Sequence, residues 1–421
     1  MKEMFINRRQ SCQQHIQKTN IDSQDAYSVE IWSKQKKEEK NSLVKEFEMI
    51  FILLQLIGID AFDYYKDHDR HPSNVNQTNL TKSRIIFCMK VCSRCFFFIL
   101  LCVKYLVYTL RLFFVWNRIW EYTTFLVTTM VVSIYASVLL RRRAILHVIE
   151  NLNQIHQKFS GHKPIRGKYF FLVYFIFSQI LVAIWGFLLY YSGGSIKPQD
   201  IKQKAIILSD YLEPRSFLVL FEHVQALYNF SQVFIISVFA MFYSFTCKCI
   251  RDLTRCLIDQ QNKNCSSEEI ESLISLHVDI MKCVNCMDDN FSYFAFATVF
   301  VSMMGTFWGG YRLAFCKTLT AEYFFLKLCL IIINCSTQLL IMLSASFTNE
   351  LTEEATRRIQ CLLCRIPTTK REIKCNMKED LTQPNSLTLW KIYVMNRSLI
   401  ISSYASLLTF GILLGALGNS Q

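Results

Sequence analysis

The stretch Val127–Leu140, VTTMVVSIYASVLL, followed at once by Arg141-Arg142-Arg143, decides the fold. It carries no charge, and the uncharged run extends back to Tyr122. A run of about 20 apolar residues is long enough to cross the hydrocarbon layer. A helix apolar all round has no face to offer water, whereas a soluble surface helix is apolar on one stripe. Six further runs read the same way: Cys92–Trp116, Tyr169–Tyr191, Phe217–Phe245, Tyr293–Phe315, Tyr323–Phe347 and Ile392–Gly418. The first is interrupted by Arg94, Lys104 and Arg111, whose long stems can snorkel to the interface or face the bundle. Composition agrees. The 421 residues would suffice for two or three soluble domains. However, 52% are hydrophobic and only 19% charged, and the charges crowd into a few stretches. The expectation is an all-α membrane protein with seven transmembrane helices.

An eighth apolar stretch, FEMIFILLQLIGIDAF from Phe47 to Phe62, contains Glu48 and Asp60. Its uncharged centre, Met49–Ile59, is short for a crossing and predicts an interfacial or re-entrant helix. Residues 1–45 are polar and charged, with no apolar core ahead of a cleavage site, so no signal peptide is expected. The chain then divides into a polar segment 1–45, the short helix and its link at 46–91, and helices one to six over 92–347. A polar segment at 348–391 and the seventh helix with a short tail at 392–421 complete it.

Orientation follows from Lys and Arg, which are retained on the cytoplasmic side. The segments on the amino-terminal side of seven crossings (1–90, 141–168, 248–292 and 348–391) hold 34 of them; the opposite segments hold 6. The expected topology is therefore a cytoplasmic amino terminus and an extracellular carboxyl terminus, the reverse of a G-protein-coupled receptor. The net charge of +13 sits mainly on one face, which suits anionic lipid headgroups rather than nucleic acid. Six Asn-x-Ser/Thr sites agree. Asn76, Asn79, Asn264 and Asn290 fall on the inner side, Asn229 and Asn334 fall within helices, and no glycan is expected.

Several chemistries are not expected. Of the 17 cysteines only Cys316 falls in a predicted outer loop, so no disulfide framework forms. Cys92/Cys95, Cys283/Cys286 and Cys361/Cys364 have CxxC spacing, but each pair lies on a helical segment where packing explains small apolar side chains. No metal or other cofactor is expected. Cys247 and Cys249, at the inner end of the fourth helix, read as S-acylation sites. Phosphate loops, HExxH and GxSxG are missing, so the chain is not read as an enzyme. Neither an internal duplication nor paired Gly/Pro-broken helices point to a transporter.

Two helices continue beyond the bilayer. In SSEEIESLISLHVDIMKCVNCMDDNFSYFAF, Ser266 or Ser267 caps a helix with Glu268, Glu269 and Glu271 near its first turn. Leu273, Leu276, Ile280, Val284 and Met287 recur at three- and four-residue steps. ASFTNELTEEATRRIQCLLCRI extends the sixth helix, with Leu351, Ala355, Ile359 and Leu362 on one face. Both stripes suit packing within one subunit or a bundle gathering several subunits; periodicity alone does not separate the two.

Two long helices running inward, a short link and a last helix ending near the terminus resemble arthropod gustatory receptors. The last helix, VMNRSLIISSYASLLTFGILLGALG, carries the most specific likeness. Asn396-Arg397-Ser398-Leu399-Ile400 is similar to the family's Asp/Asn-Arg-Ser-Leu-Leu. Thr409-Phe410 stands at its Thr-Tyr, Gly411 to Gly415 supply five hydrophobic positions, and Ala416-Leu417 replace Gln-Phe. NFSYF at the start of the fifth helix and LLQLIGIDAF before the first also look like the family. The departures imply a divergent, non-insect (chelicerate-like) branch.

The resemblance implies a plasma-membrane chemosensory protein. It would act as a ligand-gated non-selective cation channel, tetrameric alone or with related subunits, opened by a small-molecule tastant. The pore would be lined by the seventh helix, with a ligand pocket in the outer half of each subunit. Ser402, Ser403, Ser406, Thr409, Gly411 and Gly415 on that helix permit close approach and a partly wet surface, or ordinary helix packing. Leu407, Phe410, Leu414 and Leu417, three or four apart, suit a hydrophobic gate. For the pocket, the outer halves supply Trp185, Tyr190 and Tyr191; Glu222, His223 and Tyr228; Trp308, Tyr311 and Arg312; and Tyr323 and Lys327. Glu222 pairs naturally with Arg312, and Trp308 and Tyr311 stand one turn apart. The same residues also suit an aromatic belt with snorkelling charges. A multi-pass solute transporter and a seven-helix receptor coupled to a cytoplasmic partner remain as alternatives. Epitope tags at both termini test the orientation: on intact cells only the carboxyl-terminal tag should stain. A stained amino terminus would invert the assignment.

Overall fold

The computed structural model describes residues 42–59, 77–114, 119–159, 168–193, 214–261, 267–315, 321–363 and 386–418. Helices α1 (Ser42–Leu56), α2 (Gln77–Phe114), α3 (Ile119–Leu140), α4 (Arg142–Lys158) and α5 (Lys168–Gly193) come first. They are followed by α6 (Pro214–Gln261), α7 (Ser267–Phe315) and α8 (Ala321–Leu363), then a two-residue hairpin, β1 (Thr388–Leu389) and β2 (Tyr393–Val394), and α9 (Arg397–Gly418). Five of them, α3 and α5 to α8, are long and apolar enough to cross a membrane; α9 contributes a shorter apolar segment, Arg397–Leu413. The seven predicted runs thus fall on α2, α3 and α5 to α9, except that the seventh begins late, Tyr393–Val394 forming β2 and the helix starting at Arg397, and that Val115 and Trp116 lie outside the described residues.

At 1.5 Å per residue, α6, α7 and α8 are each about 65–75 Å long, more than twice the hydrocarbon thickness. They project together past the arginine-rich end of α3, the basic end of the bundle. There α7 and α8 pack on each other and on α6. Leu273, Leu276, Ile280, Val284 and Met287 are all buried, as are Ala355 and Ile359. The stripes are therefore consumed by packing within this one chain. Glu268 and Glu269 occupy the first turn of α7, where the helix dipole favours them.

α6 is the central pillar. From Ile235 to Ile250 nearly every side chain is buried, and α1 to α5, α7 and α8 all touch it. Its hydroxyls find partners despite burial: Ser244 donates to the Leu340 carbonyl (3.1 Å), and Thr246 to Phe242 (2.9 Å). Cys247 and Cys249 lie fully buried in this packing, so the expectation of S-acylation there is corrected: neither thiol can be reached.

α1 is 15 residues long, about 22 Å, and too short to cross. Its Phe47 packs edge-on against Phe245 of α6, with ring centroids 4.7 Å apart. A helix leaves its last carbonyls without intrahelical donors; here other helices supply them. Ser93 donates to Leu56, Arg94 Nε to Gly58 (2.9 Å) and the Tyr135 hydroxyl to Ile57 (3.1 Å). Arg94 therefore faces the bundle, and so does Lys104, which is buried with its ammonium 4.8 Å from the Tyr228 ring centroid. Gly58, at φ +79°, touches the Arg94 backbone, so no side chain fits between α1 and α2 there.

α4 was not legible as a separate element. Arg141 breaks the helix, and its guanidinium donates to the Asp289 and Asn290 carbonyls of α7 at 3.3 and 3.1 Å. Beyond it, Ile145, Leu146, Val148, Ile149, Leu152 and Ile155 are buried against α1, α6 and α7.

His277 lies in the α7 extension, beyond the membrane-spanning part. It is fully buried, with Nε2 3.2 Å from the Thr356 hydroxyl of α8, and burial lowers its pKa from 6.5 to about 4. A lowered histidine pKa means that the unfolded chain takes up the proton first. Stability from this site is complete above pH 6.5 and is lost as pH falls towards 4, by about 3 kcal/mol at most. The melting temperature of the detergent-solubilised protein should fall more steeply over that window than that of His277→Gln; parallel profiles would refute the assignment.

Candidate ligand pocket and last helix

α9 begins with Asn396, whose side chain accepts from the Leu399 amide at 2.8 Å, the usual cap of an exposed helix start. Its position is set by the hairpin before it. Asn349 of α8 donates to the Leu387 and Met395 carbonyls (3.0 and 2.9 Å) and accepts from the Leu387 amide (2.8 Å). Asp288 of α7 accepts from the Thr388 amide and hydroxyl at 2.6 and 2.9 Å. Burial raises the pKa of that carboxyl above the usual range, and the Thr388 hydrogen bonds oppose the shift. Trp390, at φ 51°, lies against Phe296 and Tyr293, with centroids 5.3 and 5.8 Å apart. The loop thus clamps the start of α9 to both long helices. Nothing in the sequence of 386–396 announces this clamp, because its partners lie 38 to 100 residues away.

Along its length α9 packs on α7 and α8. The residues turned to them are Ile400, Ser403, Tyr404, Leu407, Gly411 and Gly415, on one helical face. Ser403 accepts from Gln338 Nε2 of α8 at 3.2 Å. Gly415 accommodates the Phe315 ring of α7, which a Cβ at that position would strike. Among the proposed gate residues, then, Ser403 and Leu407 face their own subunit. Ser406, Thr409 and Phe410 are exposed on the other side, and the side chains of Leu414 and Leu417 lie outside the described ones.

The candidate ligand residues divide similarly. Trp308 and Tyr311 are half-buried neighbours on α7, edge to face at 5.9 Å. Tyr311 also meets Phe307 (6.4 Å) and Phe315 (5.2 Å), making an aromatic ladder that ends on Gly415 of α9. Trp185 of α5 is half-buried, and its indole N–H has no hydrogen-bond partner among the described residues. Arg312 and Lys327 are both half-buried, on α7 and α8. Tyr228 is buried beneath Lys104. The side chains of Tyr190, Tyr191, Glu222, His223 and Tyr323 lie outside the described ones, and with them the pairing of Glu222 with Arg312.

Sequence reasoning missed a seam of hydrogen bonds between apolar helices: Tyr174–Thr337 at 2.7 Å, Ser178–Ser237 at 3.2 Å and Ser133–Tyr293 at 2.9 Å. Isolated hydroxyls inside apolar runs were the available signal. Gly305 against Asn334 and Gly309 against Ile331 bring α7 and α8 close. An open cleft of about 410 Å³ lies instead at the basic end, between α6 and α8. Its Lys248 and Asp252 pair at 2.6 Å, and none of the expected ligand residues lines it.

The sequence profile described as 7tm Chemosensory receptor matches residues 47–414. The structure is similar to that of the insect olfactory receptor OR5 from Machilis hrabei, with a TM-score of 0.57 at 15% identity, covering 89% of this chain and 99% of that one. The same receptor in complex with eugenol gives 0.55 at 14% identity, over 90% and 100%. No curated protein matches in sequence. At these identities the likeness is one of fold.

The contact between ladder and last helix is testable by a double-mutant cycle. Gly415→Ala should destabilise the solubilised protein by about 1–3 kcal/mol through overpacking. Adding Phe315→Leu should recover part of that loss; strictly additive effects would mean that the two residues do not meet.

Proposed function

As the chain belongs to the 7tm chemosensory receptor family, we propose that it is a gustatory-type, ligand-gated, non-selective cation channel. Four subunits, identical or related, surround a central pore. The amino terminus and basic end lie in the cytoplasm and the carboxyl terminus outside, as the Lys/Arg distribution favours.

The observation that carries this reading is the one-sided packing of α9. Its inner face is held by α7 and α8. Ser402, Ser406 and Thr409 lie on the opposite face together with exposed Leu413, flanked by exposed Ile401, Leu408 and Ile412 on one side and Phe410 on the other. Each of these hydroxyls donates to its own helix backbone, Ser406 to Ser402 and Thr409 to Ala405 at 2.8 and 2.9 Å, leaving lone pairs outward. Small hydroxylated residues suit a narrow wet axis, and the flank of Ile401, Leu408 and Ile412 suits a neighbouring copy. Phe410, with Leu414 and Leu417 beyond it, is placed to close the axis by dewetting. Ser403 and Leu407 support the helix from behind.

The ligand is a small organic tastant held in the outer half among Trp185, Tyr190, Glu222, His223, Trp308, Tyr311 and Arg312. Eugenol in the structurally similar receptor is consistent with a ligand of that size. The aromatic ladder gives ligand contact at Trp308 and Tyr311 a direct route to α9 through Phe315. In cells expressing the chain, a tastant should evoke a cation current, and Phe410→Ala should raise the resting current or lower the activating concentration several-fold. Tastant binding to surface-expressed protein with no current in either form would remove the channel reading and favour a coupled receptor.

A further inference from the structure

Four of the exposed thiols lie on one helix. Cys88, Cys92, Cys95 and Cys102 of α2 are all exposed. At 100° per residue they fall within an arc of about 80°. Phe97, Leu100, Leu101 and Lys104, on the other side of α2, are buried. Around the thiols stand exposed Met89, Phe96, Ile99 and Leu106, so among the described residues this face presents apolar side chains and sulfur that the bundle leaves uncovered. α2 packs on α1, α3 and α6, whereas α9 packs on α7 and α8, which sets the cysteine face away from the proposed pore axis. A face so placed meets lipid. Along α2 the thiols differ in depth. Cys88, Cys92 and Cys95 span about 10 Å at the start of the first apolar run, beside Arg94 and, in sequence, Lys82, Arg84 and Lys90. Cys102 lies about 10 Å further towards the middle of the bilayer.

We propose that Cys88, Cys92 and Cys95 are S-acylated with long-chain fatty acyl groups, which anchor the start of α2 to the cytoplasmic leaflet. The inference rests on the orientation proposed above. The donor is a long-chain acyl-coenzyme A thioester, delivered by a membrane-bound acyltransferase. The cysteine sulfur attacks the thioester carbonyl, a new C–S bond forms and the bond to coenzyme A breaks. Coenzyme A leaves as its thiol with the proton given up by the cysteine, and nothing is oxidised or reduced. Exposure, the basic boundary and an apolar surface along which the acyl chain can lie are the features such a site needs. Cys102 is too deep. Cys361 is exposed but lies fourteen residues, about 21 Å, beyond Phe347, away from the lipid.

The test is acyl exchange on the full chain expressed in insect cells. Free thiols are blocked, thioesters are cleaved with neutral hydroxylamine, and the released thiols are tagged with maleimide-polyethylene glycol. The wild type should show a hydroxylamine-dependent ladder of up to three added tags. Replacing Cys88, Cys92 and Cys95 together by Ser should abolish it, each single replacement should remove one step, and Cys102→Ser and Cys361→Ser should leave it intact. Serine on an exposed face disturbs no packing, so surface expression should be kept. A wild type without the ladder, or a ladder surviving the triple replacement, overturns the proposal. An impermeant maleimide separates the two ways of failing. Absence of the ladder with labelling of these cysteines on intact cells would invert the orientation as well. Absence with labelling only after permeabilisation would leave the orientation standing and reject acylation alone.

Discussion

The burial of α6 on every side is the constraint on which the rest of the molecule depends. A helix in lipid must satisfy its polar groups internally, and one at the centre of a bundle must do so without water. α6 meets this with hydroxyls that donate to its own backbone or to α8, and with Arg251, which donates to the Ser344 carbonyl at 2.8 Å. Its apolar surface then receives Phe47 of α1, Phe171 and Phe175 of α5 and Phe291 and Phe294 of α7. Each aromatic pair of this kind adds roughly 0.5–1.5 kcal/mol beyond its buried area. Among the described elements, every helix but α9 packs extensively on this centre.

That exception is functionally suggestive. α9 is fastened at three heights: to Asn349 and Asp288 through the hairpin, to Gln338 midway, and to Phe315 near its far end. All of these fastenings come from α7 and α8, the helices with the most extensive mutual contact. A change in how α7 and α8 sit on each other must therefore reach α9, while the packing around α6 can stay as it is. A packed core shifts between discrete arrangements rather than deforming continuously, which suits a gate.

Charged residues within apolar runs were the hardest to read. Arg94 and Lys104 have stems long enough to reach water, and sequence left snorkelling and inward packing equally open. The structure turns both inward, one to a helix terminus and one to an aromatic face. Two cysteines also turned inward. Cys247 and Cys249 stand beside Lys248 and Arg251, the pattern of a lipidated boundary, yet the helix that carries them is the buried pillar. Cys88, Cys92 and Cys95 of α2 also have basic neighbours in sequence, yet they are exposed; the side of the helix that met the bundle differed.

The sequence by itself determined that the protein is helical and multi-pass. Apolar length and the spacing of Leu273 to Met287 are local properties, set by the thickness of lipid and the 3.6-residue turn. The motif Asn396–Ile400 likewise pointed to the family, because a capped helix start is written in consecutive residues. Only the tertiary structure decided which residues share a site. Asp288 meets Thr388, Gln338 meets Ser403 and Phe315 meets Gly415 across separations of 65 to 100 residues. The rotation of each helix about its own axis fixes those meetings. In a helix apolar all round, no periodicity in the sequence records that rotation.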